Sequence, residues 1–240
     1  MNIAVDTHTH TLASSHAFST IRENAEAAAE AGLAAVCMTD HTPALPDAPH
    51  IWHFDNLHIL PRKICGVTII RGAEVNIMDA DGSIDLAEAN MKDVEWIVAS
   101  MHSPCITPAA AEAQTSAYLG VAKNPRVDVI GHPGSGKYPF DYERCVRAFK
   151  EYGKLVEINE NALRSQQESP ANYTALARLC MKHEVPVVVS SDAHYCGQIG
   201  RTLLACRLLE DVGFPERLVL NADKDRFFAF IRGKRGLDLA

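Results

Sequence analysis

The stretch VPVVVSSDAH, residues 185–194, is an apolar, largely β-branched run that ends in side chains able to bind a metal. A nearly continuous apolar run is typical of a strand that is buried on both faces, as in a parallel sheet. Six earlier runs have the same character, and helix-like segments separate them. They are IAVDTHTH (3–10), AAVCMTDH (34–41), VTIIRGAEVNI (67–77), WIVASMH (96–102), VDVIGHPG (127–134) and LVEINEN (155–161).

The alternation of these runs with helix-like segments predicts an α/β fold over the whole chain. The first helix is expected to begin near Thr20, where Glu23 completes a capping box, and to end at Gly32. Seven strands favour a closed or nearly closed barrel, although the pattern also permits an open doubly wound sheet. Because no linker or low-complexity segment interrupts residues 1–240, we expect a single domain.

Bulk composition narrows the classes of function. Of the 240 residues, 47% are hydrophobic and 22% charged, and the net charge of −7 argues against a broad nucleic-acid-binding surface. No apolar run approaches the roughly 20 residues that span a bilayer, and no secretory signal is evident, so we expect a cytoplasmic protein without a membrane partner. The seven cysteines include no CxxC pair, which argues against a disulfide framework or a cysteine zinc site. The chain has no P-loop, no GxGxxG and no GxSxG, which argues against nucleotide hydrolysis, dinucleotide redox chemistry and serine-hydrolase chemistry.

Potential metal ligands stand where these apolar runs end. The carboxyl ends of parallel strands form the active face of α/β folds, so the ligands are expected to share one face. A lone HxH or DxH pair is more often an ordinary hydrogen-bonded pair. Together, however, so many buried polar groups would be costly without a metal to coordinate them. The candidates are His8, His10, His41, Glu74, His102, His132, Asp192 and His194.

This pattern resembles the PHP (polymerase and histidinol phosphatase) family of metal-dependent phosphoesterases, and especially its small stand-alone bacterial phosphatases. The resemblance rests on motifs in the same order along the chain. They are DTHTH, TDH (39–41), RGAEVN, MHSP (101–104), GHPG (131–134) and SDAH (191–194), together with His16 in ASSHAFS and the phrases DAPHIWHF and HPGSGKY.

The resemblance implies a distorted seven-stranded (βα)7 TIM-like barrel that holds three divalent metal ions. One ion would take His8, His10, Glu74 and Asp192. A second would take Glu74, His102 and His132, so that Glu74 bridges two ions. A third would take His16, His41 and His194. Imidazole and carboxylate ligands favour zinc, with manganese and iron as alternatives.

Such a cluster predicts hydrolysis of small phosphate monoesters. Two carboxylates neutralise only part of the charge of three divalent ions, and the surplus suits a dianionic phosphate. The expected mechanism is attack by a metal-bridging hydroxide, with Glu74, Asp192 and His194 as the catalytic residues. Arg62 and Lys137 are candidate substrate-binding residues, since they lie in or beside loops that follow strands. His53 is a third candidate, expected at the mouth of the pocket.

Three other functions remain open at this point. One is an amidohydrolase-type barrel, which also begins with HxH but bridges its metals with a lysine. Another is a PHP-type nuclease or phosphodiesterase, although the acidic net charge disfavours extended nucleic acid as a partner. The last is a non-catalytic metal-binding protein. The expected partner is a small phosphorylated substrate, and a homo-oligomer is left open.

Overall fold

The computed structural model describes residues 1–165 and 169–239 of the chain. Eight strands lie within these residues. They are β1 (Val5–Thr9), β2 (Ala35–Met38), β3 (Lys63–Ile64), β4 (Val67–Asn76), β5 (Trp96–Ser100), β6 (Val129–Ile130), β7 (Leu155–Asn159) and β8 (Val187–Ser190). Each of the seven apolar runs supplies one strand, and β3 is the eighth.

Eight α-helices alternate with these strands in the described part of the chain. They are α1 (Ile21–Glu30), α2 (Trp52–Asp55), α3 (Ala111–Ala122), α4 (Tyr142–Glu151), α5 (Glu160–Arg164), α6 (Pro170–His183), α7 (Leu203–Asp211) and α8 (Lys224–Arg235). Thr20 caps α1 through the capping box with Glu23 that the sequence predicts. None of the helices in residues 1–165 and 169–239 is long and apolar enough to cross a membrane.

Seven strands run parallel in the order β1-β2-β4-β5-β6-β7-β8. This is the nearly closed TIM-like barrel expected from the sequence, so the open doubly wound sheet is wrong. The short β3 lies outside the barrel and pairs antiparallel with β4 through Lys63–Thr68 and Ile64–Val67.

The barrel closes between β1 and β8, along a line of contact called the seam, through both backbone and side-chain hydrogen bonds. The backbone N–H of Asp192 donates to the carbonyl of His8 at 2.9 Å, and the N–H of His10 donates to the carbonyl of Ala193 at 2.8 Å. Farther toward the amino ends of the strands, the buried amide of Asn221 donates to the carbonyls of Val5 and Val189 at 2.7 and 2.6 Å. The side chain of Asn221 therefore replaces part of the backbone hydrogen bonding that would otherwise join β1 to β8.

Asp6 also fastens the seam. Its two carboxylate oxygens accept the N–H groups of Ser191 and Gly200, at 3.0 and 2.9 Å. The side chain is fully buried, and these bonds leave it facing the seam.

The barrel interior is filled with apolar side chains and is closed at its amino-terminal end by α8. Phe227 and Ile231 of this helix belong to the same buried cluster as Val98 and Val188 of the strands. The guanidinium of Arg235 pairs with Asp128, directly before β6, at 2.6 Å. The described residues therefore close this end of the barrel, and the carboxyl ends of the strands form its open face.

Candidate metal centre

The nine predicted ligand residues meet at the carboxyl ends of the strands. His8 and Glu74 lie within β1 and β4, and the other seven lie in loops that directly follow strands. A cavity of about 430 Å³ opens onto this face, a volume that suits a small molecule. Its walls include His16, His41, Glu74, His102, His132, Asp192 and His194, and the rings of His8 and His10 lie buried beside Glu74.

Glu74 occupies the centre of the group, and its two oxygens face different neighbours. Oε2 lies 3.3 Å from His8 Nε2 and 3.6 Å from His10 Nε2. Oε1 lies 3.0 Å from His132 Nε2 and 3.4 Å from His102 Nε2. The carboxylate is thus placed to contribute one oxygen to each of two adjacent sites.

Asp192 completes the group around His8 and His10. Its Oδ1 lies 3.2 Å from His10 Nε2 and 3.7 Å from His8 Nε2. Asp192 has a positive φ of 51°, and His132 has one of 25°. Non-glycine residues rarely adopt these angles, and such strain clusters at functional sites.

His16, His41 and His194 form the outer part of the group. The ring of His16 lies 4.4 Å from that of His194 and 5.2 Å from that of His41, centre to centre. His10 reaches toward this part as well, because potential ligand atoms of His10, His41 and His194 all lie within 4.8 Å of one another. Asp47 joins His16 and His41 in a similar cluster.

Several of these imidazoles have one ring nitrogen engaged and the other directed into the cluster. His8 Nδ1 lies 2.7 Å from Glu157, His102 Nδ1 2.7 Å from the side-chain oxygen of Asn76, and His194 Nδ1 3.0 Å from the carbonyl of Asp192. Each acceptor fixes the proton on Nδ1 and leaves Nε2 with a lone pair, as metal-binding histidines require.

The buried polar atoms of the cluster also fit a metal. His10 Nδ1, His41 Nδ1 and Glu74 Oε2 have no hydrogen-bond partner among the described residues. His41 Nδ1 and Glu74 Oε2 lie only 2.8 Å apart, yet they do not form a hydrogen bond. Buried polar groups without partners are costly, and cations bound within the cluster would reduce that cost.

The ionisation of the group suits cation binding. Burial opposes the charge on Glu74, but the imidazoles of His8 and His102 outweigh it and hold the pKa of Glu74 well below its usual range. Burial and the nearby His41 lower the pKa of His10 to about 3, so this ring is neutral near pH 7. Burial also lowers the pKa of His8, but the charges of Glu157 and Glu74 raise it further, to well above the ordinary value.

Comparison with known proteins identifies the family. The family model described as the PHP domain matches residues 6–161. The chain belongs to the PHP domain family. Over 237 residues it is 46% identical to a protein of Caldanaerobacter subterraneus subsp. tengcongensis that is named a probable phosphatase, covering 98% of this chain and 93% of that one. A protein of Clostridium novyi (strain NT), also named a probable phosphatase, is 42% identical over 98% of this chain and 96% of its own length.

A solved structure with the same architecture is that of histidinol phosphate phosphatase from Lactococcus lactis subsp. lactis, complexed with zinc, L-histidinol and phosphate. The TM-score is 0.63 over 90% of this chain and 95% of that one, at 18% sequence identity, so the likeness concerns the fold. It agrees with the barrel described above. The names of the PHP relatives confirm the predicted class of enzyme, a phosphatase, at the level of the family.

In this PHP domain the three predicted substrate-binding residues lie apart from the cavity walls. Arg62 is engaged elsewhere: its guanidinium makes a two-pronged pair with Glu95 at 2.7 and 2.6 Å and also donates to the carbonyl of Ile69. The structure therefore does not bring Arg62 to the cavity, because its donors are used near the amino end of β4. Lys137 is exposed in the loop after His132. His53 is half-buried, with Nε2 3.6 Å from Asp40.

Sequence reasoning overlooked the residues that surround the ligands. Glu157 reads as an ordinary strand residue in LVEIN, and only the fold brings it against His8. Asp47 lies in the irregular region 42–62, where spacing carries no information about its neighbour His16, 2.5 Å away. Asn161 forms part of the cavity wall from the unpredicted helix α5.

Proposed function

We propose that this PHP domain is a phosphatase that hydrolyses small phosphate monoesters at a site for three divalent metal ions. The observation that carries the proposal is the placement of Glu74, whose two oxygens face separate groups of imidazole nitrogens at 3.0–3.6 Å. A carboxylate in that position can hold two ions side by side, which is the arrangement that favours in-line displacement at phosphorus.

The proposed ligand assignment is the one that the family resemblance implies. The first site would use His8, His10, Glu74 and Asp192. The second would use Glu74, His102 and His132. The third would use His16, His41 and His194, with Asp47 accepting a hydrogen bond from His16 and so fixing its ring.

When bound, divalent ions would lower the pKa of a water molecule and stabilise negative charge on the phosphate oxygens. The chain itself keeps Glu74 ionised and His10 neutral. It turns the rings of His8, His102 and His194 through the acceptors at their Nδ1 atoms. Glu74, Asp192 and His194 are proposed as catalytic residues because they line the cavity where a phosphate would meet the cluster. The carbonyl of Asp192 holds the His194 ring, so these two residues act as one unit.

In this cavity the metal ions would supply the positive charge that binds the phosphate. Among its described lining residues none is lysine or arginine, and the remaining wall combines Leu45, Pro104 and Ala162 with Ser103 and Asn161. The phosphate would therefore depend on the cluster for its charge balance. The leaving group would meet a small surface of mixed polarity, which suits an alcohol of modest size.

Zinc is the preferred ion, since imidazole and carboxylate are its common ligands and the Lactococcus lactis phosphatase was crystallised with zinc. Manganese and iron accept the same ligands. Histidinol phosphate, the substrate named for that relative, belongs among the first substrates to test.

The test compares protein loaded with zinc, manganese or iron with protein stripped by a chelator. Each is assayed with 4-nitrophenyl phosphate, bis(4-nitrophenyl) phosphate and histidinol phosphate, and its metal content is measured by elemental analysis. We expect about three ions per chain, monoester turnover that chelation abolishes, and little diester turnover.

Other outcomes would contradict the proposal in distinct ways. A preference for the diester would indicate a nuclease or phosphodiesterase. Full metal occupancy without turnover of any ester would indicate a metal-binding protein. Turnover that survives complete removal of metal would overturn the metal-dependent mechanism.

A further inference from the structure

Glu157, in β7, is a fully buried carboxylate that lies beneath the candidate metal centre and does not line the cavity. It is absent from the nine proposed ligands. Burying an isolated carboxylate costs free energy, and four partners at hydrogen-bond distance offset that cost.

All four partners of Glu157 face it as donors. His8 Nδ1 and the hydroxyl of Ser190 both lie 2.7 Å from Oε1. The backbone N–H of His132, at 2.6 Å, and the side-chain amide of Asn159, at 3.2 Å, both reach Oε2. The orientation of the Asn159 amide is fixed because its oxygen accepts the N–H of Ala162 at 2.8 Å.

This arrangement favours a carboxylate over its isosteric amide. An ionised carboxylate is an acceptor at both oxygens, whereas a glutamine offers one oxygen and one NH₂ group. An NH₂ group in place of Oε2 would face two N–H donors, from His132 and Asn159. An NH₂ group in place of Oε1 would instead donate to the Ser190 hydroxyl and to His8 Nδ1, and so would favour the opposite tautomer of His8.

The two partners of greatest consequence belong to different proposed metal sites. By accepting from His8 Nδ1, Glu157 directs His8 Nε2 toward Glu74 and Asp192, so that Nε2 is the nitrogen available to a metal. By accepting the N–H of His132, it holds the backbone of a residue whose φ is 25°. Asn159 extends the link by donating to Asp192 Oδ2 at 3.2 Å.

We propose that Glu157 is the positioning residue of the metal centre: it sets the tautomer of His8 and holds the strained backbone of His132, so that both inner sites are assembled before metal arrives. This inference rests on the proposed metal-dependent function. It adds a requirement for a specific residue that binds neither metal nor substrate.

The experiment measures metal affinity and not only turnover. Glu157→Gln is compared with Asp128→Asn, which removes a buried charge at the opposite end of the barrel. Both variants should lower the thermal stability. Only Glu157→Gln should weaken zinc binding, by roughly 10- to 100-fold, as loss of a partner behind a metal-binding histidine does. Its cobalt-loaded form should show an altered visible absorption spectrum, and the spectrum of Asp128→Asn should match that of the unmodified protein.

A second measurement requires no variant. Nitrogen-15 NMR of the unmodified, zinc-loaded protein should show His8 protonated at Nδ1. An unprotonated Nδ1, or zinc affinity and a cobalt spectrum unchanged in Glu157→Gln, would overturn the inference. Because these readouts concern metal binding, they are distinguishable from a failure of the phosphatase assay, which would leave the Glu157 result standing.

Discussion

At the scale of single residues, Glu74 is expected to be the least replaceable, because each of its oxygens faces imidazole nitrogens on a different side. We expect Glu74→Gln to reduce the bound metal to about one ion per chain, since both inner sites would lose an anionic oxygen. Activity should fall by at least about 10³-fold, corresponding to the several kcal/mol that a metal contributes to the transition state.

Elemental analysis and a monoester assay check the Glu74 prediction side by side. Glu112→Gln is a suitable control, because Glu112 is exposed and pairs only with Arg144 on the surface. Normal metal content in Glu74→Gln would show that the proposed bridge does not exist.

Arg62 provides a test that separates a structural role from the predicted contact with substrate. Arg62→Lys cannot reproduce the two-pronged pair with Glu95, so it should lower the free energy of unfolding by about 1–3 kcal/mol. The KM for a phosphate monoester should stay within about twofold of the unmodified value. Denaturant unfolding and steady-state kinetics separate the two effects. A large rise in KM would show that Arg62 binds the substrate.

The site residues that could be predicted from the sequence are polar residues at the ends of apolar strand runs. His8, His132 and Asp192 all follow apolar runs, so their convergence follows from a parallel sheet. Glu157 and Asp47 could not be predicted in the same way, because their roles depend on neighbours that are distant in sequence. The pair of Arg62 with Glu95 could not be predicted for the same reason, because the two residues are 33 positions apart.

At the scale of elements, Gly131 shows how tightly β6 is joined to β5. A Cβ at this position would lie 2.1 Å from Ser100 Oγ and 2.7 Å from Val98 Cγ1. Gly131→Ala should therefore destabilise the fold by about 1–3 kcal/mol through overpacking and should displace the adjacent His132. Thermal unfolding and zinc titration measure the two consequences.

Gly136, in the same loop, is the matched control for Gly131. A Cβ there would meet no atom within 4 Å, and the residue does not need a positive φ. Gly136→Ala should leave stability and zinc affinity unchanged. Equal effects of the two substitutions would show that the close approach of Gly131 is unimportant.

The long elements could be read from the sequence because hydrophobic periodicity and caps mark them. The short elements β3, α2 and α5 could not, whereas the two-residue β6 was indicated by its apolar run, 127–134. β3 has two residues and α2 has four, which is too few to establish a period. The part of the site built on α5 was missed for this reason, and with it the contribution of Asn161 to the cavity wall.

At the scale of the whole molecule, closure of the barrel depends on Asn221. Asn221→Ala would leave the buried carbonyls of Val5 and Val189 without these donors, and the N–H of Val189 without its acceptor at 3.0 Å. We expect a loss of about 2–5 kcal/mol in unfolding free energy, measured in urea. Asn2→Ala, on the surface, should have no comparable effect. Unchanged stability in Asn221→Ala would mean that the seam closes by other contacts.

Lys154 lies at the amino-terminal end of the barrel, and its ionisation makes the free energy of unfolding depend on pH. Burial lowers the pKa of Lys154 from its ordinary value of 10.5 to about 8. Between these values the unfolded chain binds a proton that the folded chain has released, so stability rises with pH, by at most about 1.4 kcal/mol per unit.

Urea unfolding of the unmodified protein and of Lys154→Met, repeated at pH 8, 9 and 10, checks the Lys154 prediction. The unmodified protein should gain stability relative to the variant over this range. A constant difference between the two would show that Lys154 keeps an ordinary pKa in the folded state.

The seam between β1 and β8 also determines when a metal can be acquired. Asp6 and the N–H of Ser191 meet across 185 residues of sequence, and the first proposed site takes His8 and His10 from one side and Asp192 from the other. Contacts between such distant parts form late in folding, because a long loop must close first. Three of the four proposed ligands of this site, His8, His10 and Glu74, precede Asp192 by more than 100 residues. Binding of an ion at the site is therefore expected after β1 and β8 have met, and the ion would then tie the first strand of the barrel to the last.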